Sequence, residues 1–96
     1  MKMVFITYNV AIETEVMEVL KELAIEGFTR WPRVQGQGIT SGPHLDTHIW
    51  PTVNSALAVA VEDNKKDRLI ERIKSLRQKL GKEGIKAFAW SLEEMT

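Results

Sequence analysis

Both histidines of this 96-residue chain fall in one five-residue run, His44-Leu45-Asp46-Thr47-His48, with a carboxylate midway between them. In an extended segment positions 44, 46 and 48 project to the same side. Two imidazoles and a carboxylate at that spacing suit Zn²⁺, Ni²⁺, Cu²⁺ or Co²⁺, and Trp50 and Pro51 follow as an apolar flank. The same run also fits a polar surface loop whose histidines cap turns. A second chemical signal is Gly36-Gln37-Gly38, where backbone amides can approach a phosphate closely or where the chain simply hinges. No lysine or arginine stands between Arg33 and Lys65. A phosphate held by this segment therefore needs cations from the later turn at Lys82 and Lys86, or from the basic stretch that runs from Lys65 to Lys79.

That basic stretch carries Lys65, Lys66, Arg68, Arg72, Lys74, Arg77 and Lys79 against Asp67 and Glu71. It reads as an RNA or phosphate surface or as a solvated helix face. The whole chain has 13 basic and 13 acidic residues and a formal net charge of zero, which argues against nucleic acid or an anionic membrane as the partner. There is no cysteine, so thiolate catalysis, disulfides and zinc–cysteine clusters are excluded. No serine stands in a nucleophile-elbow context. The reading is of a binding protein, not an enzyme. No run approaches the roughly 20 apolar residues of a membrane span, and the N-terminal run is too short for a signal peptide, so a cytoplasmic location is expected.

The elements that must position these residues follow from periodicity. Met3–Tyr8 is a short apolar, β-branched and aromatic run, a buried strand. Ile12, Val16, Val19, Leu20 and Leu23 recur at helical spacing, with acid near the start and Gly27 as the expected left-handed terminator. Phe28–Val34 is a second strand, which Pro32 confines to an edge or a bulge. Residues 35–53 form one long irregular stretch rich in glycine and proline, of the kind that carries function. Ser55–Val61 is a third, central strand, and Glu62-Asp63-Asn64 turns the chain. Leu69, Ile73, Leu76 and Leu80 mark a second helix, and Ile85–Leu92 a fourth strand.

The order β-α-β-β-α-β predicts an α+β, ferredoxin-like fold in one domain spanning 1–96: a four-stranded antiparallel sheet with two helices on one face. A sheet with one wet face alternates apolar and polar residues. Val4-Phe5-Ile6 and Leu57-Ala58-Val59-Ala60-Val61 do not alternate, so the second face needs a cover, and another copy of the chain is the expected one. RNA-recognition domains of this topology stack bases on aromatics in the central strands; the third strand here has none.

Gly27-Phe28-Thr29, Val34-Gln35-Gly36-Gln37-Gly38, the long loop, the strand ending Val61-Glu62-Asp63, and Gly84-Ile85-Lys86-Ala87-Phe88 together resemble the PII signal-transduction family. The resemblance covers nearly the whole chain. It implies a homotrimer with the sheets facing inward, small effectors such as adenine nucleotides bound in clefts between subunits, and a long loop that regulates a partner such as a membrane transporter or an enzyme. Carried over by position, Thr29, Gly36 and Gly38 line the cleft and Lys86 supplies charge. The family's glycine-rich phosphate-gripping turn is reduced here to Gly81-Lys82-Glu83-Gly84, residues 92–96 hold none of the arginines expected of the family's tail, and the long loop lacks tyrosine, so the chain resembles a divergent member. The histidines fit the version of the family associated with metal or solute transport. An amino-acid-binding ACT-like domain or a small trimeric enzyme shares the topology, but Asn9-Val10-Ala11 has no glycine where ACT-like domains carry one.

Overall fold

The computed structural model describes residues 1–36, 53–80 and 84–96. The candidate metal ligands His44, Asp46 and His48, with Gly38, lie outside the described residues. The elements are β1 (Lys2–Asn9), a 3₁₀ turn (Val10–Ile12), α1 (Glu13–Glu22), β2 (Thr29–Val34), β3 (Asn54–Val61), α2 (Asp63–Leu80) and β4 (Ile85–Ser91). They form one four-stranded antiparallel sheet of order β2-β3-β1-β4. The expected ferredoxin-like arrangement is present, with β1 and β3 central and β2 and β4 at the edges.

Alternation along the strands separates two faces. Val4, Ile6 and Tyr8 of β1, Leu57, Val59 and Val61 of β3 and Ile85 of β4 point to one side. There they meet Val16, Val19, Leu20 and Leu23 of the first helical segment and Leu69, Ile73 and Leu76 of the second. Among the described residues the other side carries no helix. Register places Met3 beside Ala60 and Trp90, then Phe5 beside Ala58 and Phe88, then Thr7 beside Ala56 and Lys86. Thr29 extends the second of these rows through Ala58, and Trp31 the third through Ala56. The absence of alternation in the sequence is thus real: β1 and β3 are apolar on both faces.

The expectation that Gly27 ends the first helix is not met. The helix stops at Glu22, and Ala24 takes the left-handed conformation, φ 57°. The Ile25 amide donates to the Leu20 carbonyl at 2.8 Å and the Ala24 amide to the Lys21 carbonyl at 3.0 Å. These are the paired bonds of a Schellman cap, and Ile25 is buried in the core as the apolar residue that follows it. Burial of Ile25 outweighs the steric preference for glycine one residue earlier. Leu80, expected in the core, is more than a third exposed at the last position of α2. Pro32 acts as foreseen: β2 is an edge strand, and its register with β3 shifts between Trp31 and Val34.

Candidate functional site

The segment between β2 and β3 re-enters the sheet at Val53, and that end is held at the C-terminal end of β1. The Val10 amide donates to the Val53 carbonyl at 3.1 Å, and the Asn9 amide donates to the Gly84 carbonyl at 2.9 Å. The Asn9 side chain caps the 3₁₀ turn by accepting from the Ala11 amide at 2.8 Å. Two consecutive residues of one junction therefore fix the returning end of the loop and the start of β4. Gly36 lies at the same end, where a side chain in its place would meet Asn54 Nδ2 at 3.5 Å, an ordinary contact. No described neighbour thus forces glycine at that position.

Thr29 is exposed and sits beside Ala58 on the helix-free face. Lys86 lies on the same face, beside Thr7, with its Nζ 5.9 Å from the centroid of Phe88. Thr29 belongs to β2 and Lys86 to β4, at opposite edges of the sheet. Three strand spacings, about 14 Å, separate those edges, so a single chain does not bring these two effector candidates together.

Sequence reasoning missed two features of this region. One is how the aromatics gather on the helix-free face. Phe5 meets Trp31 edge-on with ring centroids 6.0 Å apart, and meets Phe88 at 6.4 Å. Phe5 reaches Trp31 across an intervening strand because that strand presents only Ala56 and Ala58 there. Trp31, Phe88 and Trp90 remain 43%, 47% and 50% exposed. The signal was a period-2 placement spread over three strands, visible only once their register is known.

The other is a polar group on the helix side. The Tyr8 hydroxyl donates to Glu13 Oε1, and Arg30 Nη2 pairs with Glu13 Oε2 at 2.8 Å. The Ser55 hydroxyl, itself buried, donates to the Pro32 carbonyl at 2.8 Å. Burial pushes the Tyr8 phenol up from 10.0 to about 12. The hydrogen bond to Glu13 and that carboxylate's charge add to the rise, while Ser55 and Arg30 oppose it. The group joins β1, α1, β2 and β3, and nothing in residue spacing announces it.

Three basic residues of α2 are engaged within the chain by ion pairs. Lys66 pairs with Asp67 at 2.6 Å and Lys74 with Glu71 at 3.8 Å. Arg72 grips Glu22 of α1 with two bonds of 2.8 and 3.0 Å. Among the described residues no three acidic or histidine side chains cluster as a metal site, and no helix is long and apolar enough to cross a membrane.

The family model described as nitrogen regulatory protein P-II matches residues 1–96. The chain belongs to the P-II family. Among solved structures it is similar to CPII from Thiomonas intermedia K12, a nitrogen regulatory PII-like protein bound to ADP, AMP and bicarbonate. The TM-score is 0.75 at 14% identity, covering 99% of this chain and 92% of that one. It is also similar to a PII-like signalling protein from Thermus thermophilus, with TM-score 0.66 and 22% identity over 93% of this chain and 83% of that one. A form of CPII bound to ADP and bicarbonate superposes with TM-score 0.71 at 17% identity, over 93% and 82% of the two chains. No curated protein matches the chain. The P-II assignment supports the fold expected from the sequence and places the chain among signalling proteins.

Proposed function

We propose that this P-II protein is a non-enzymatic, cytoplasmic homotrimeric regulator. It binds an adenine nucleotide in clefts between subunits, and through the 36–50 segment it controls a partner such as a membrane transporter or an enzyme. The observation that carries the reading is the placement of Thr29 and Gly36 near one edge of the sheet and Lys86 at the other. Groups so divided converge only when the β2 edge of one copy meets the β4 edge of the next. The helix-free face supplies the reason for copies to meet, since Phe5, Trp31, Phe88 and Trp90 together form an apolar surface of the kind monomers seldom leave open. ADP and AMP in the Thiomonas relative support the choice of ligand. In this cleft Thr29 and the Gly36–Gly38 backbone contact the nucleotide, and Lys86 faces its phosphates.

A thermal-shift series with ATP, ADP, AMP and cyclic AMP, with and without bicarbonate, tests it. Stabilisation that grows with ligand concentration as mass action requires supports the reading, and a flat response at millimolar nucleotide overturns it.

The spacing of His44, Asp46 and His48 motivates a second effector, a divalent transition metal such as Zn²⁺, Ni²⁺, Cu²⁺ or Co²⁺. Calorimetric titration of the metals into the wild type and into the His44→Ala/His48→Ala double variant decides this. Heat lost in the variant supports metal binding, and equal heats remove it.

A further inference from the structure

β2 is an edge strand without a buried side chain: five of its six residues are exposed and Val34 is only half-buried. Among the described residues it pairs with β3 alone, and its register shifts around Pro32, between Trp31 and Val34. An element that buries so little draws little stability from the core. Beside its ladder to β3 and the contact of Trp31 with Phe5, polar contacts hold it. Arg30 reaches from β2 to Glu13 at the first residue of α1, while the other oxygen of that carboxylate receives the Tyr8 hydroxyl from β1. Ser55 takes the Pro32 carbonyl at the point where the ladder is broken. Both oxygens of Glu13 are thus engaged, one by a buried phenol and one by a guanidinium, and Tyr8 fixes where the carboxylate stands.

We propose that Glu13 is a positioning residue for the effector site: anchored by Tyr8, it clasps Arg30 and holds β2 on the sheet, so that Thr29 and Gly36 stand where a ligand meets them. This rests on the effector reading above for the role of Thr29 and Gly36, but not for the clasp itself. The clasp adds an ion pair to the ladder, the Ser55 bond and the Trp31 contact that dock β2, at the root of the long loop. A ligand that touches Thr29 and Gly36 favours the docked strand, and loss of the clasp weakens the ligand in return.

The test is a double-mutant cycle of Glu13→Gln, Arg30→Met and the pair, in the full-length protein. Hydrogen exchange across β2 and ADP affinity are both measured. Gln keeps an acceptor for Tyr8 and removes only the charge. The expected result is a loss of about three- to fivefold in protection of β2 amides in either single variant, the size of a partly exposed ion pair, with β1 and β3 protection and the melting temperature little changed. ADP affinity falls by a similar factor, and the double variant is no worse than the singles. Unchanged β2 protection, or additive losses in the double variant, overturns the clasp. Should wild type fail to bind ADP, the effector reading falls, while the exchange measurement still decides the clasp.

Discussion

Phe88 is a residue on which the proposed trimer can be broken with little harm to the monomer. It stands 47% exposed on β4, on the helix-free face, and touches Phe5. An aromatic side chain offers about 150–250 Å², so its exposed half amounts to about 100 Å². At about 25 cal/mol per Å², covering it is worth about 2.5 kcal/mol per subunit. Counted over a trimer, that is about 7.5 kcal/mol, or about five and a half decades in the association constant. Phe88→Asp removes this term and leaves a carboxylate where the neighbouring copy would dehydrate it, a further penalty of several kcal/mol. The monomer loses about 1 kcal/mol at an exposed edge position, so its circular dichroism spectrum stays that of a folded protein. Leu80→Asp, at a similarly exposed apolar residue at the end of α2, is the control and leaves assembly intact. Sedimentation velocity at micromolar concentration should give a trimer for wild type and Leu80→Asp and a monomer for Phe88→Asp. A trimer in all three refutes the role assigned to the helix-free face, and so does a monomeric wild type.

Ala24→Gly relieves a left-handed alanine in the helix cap and should raise stability to denaturant by about 0.5–1 kcal/mol, because the strain exceeds glycine's extra freedom in the unfolded chain. Ser55→Ala leaves the Pro32 carbonyl without its hydroxyl donor and should cost about 1 kcal/mol in the same assay. For Tyr8 the folded chain keeps the phenolic proton up to about pH 12, whereas the unfolded chain releases it near 10.0. The folded state therefore binds more protons across that window. Its contribution is complete below pH 10 and disappears as pH rises through 12. Wild type should lose about 2–3 kcal/mol more than Tyr8→Phe over that range, measured by urea unfolding at stepped pH; parallel profiles contradict the assignment.

The order of elements and the two-faced apolar character of β1 and β3 were legible in the sequence because each rests on local periodicity. Pro32 announced an edge strand for the same reason, since a missing donor is a local fact. The end of α1 was not legible: Gly27 satisfied the steric rule, but the buried side chain of Ile25 placed the cap at Ala24, and burial is a tertiary property. Thr29 and Lys86 were nominated by resemblance, and only the strand order shows that they stand on opposite edges. The meeting of Phe5 with Trp31 depends on the alanines of β3 lying between them, a relation set by register. The Tyr8–Glu13–Arg30 clasp joins residues from three elements with no common spacing, so no scan of one segment reveals it.

The central claim is that an adenine nucleotide binds between copies of this chain. Titration of ADP by calorimetry into wild type and into Phe88→Asp tests it most directly. Saturable binding to the trimer that vanishes in the monomeric variant is the predicted result. No saturable heat with the wild type, or equal affinity for the monomer, would contradict it.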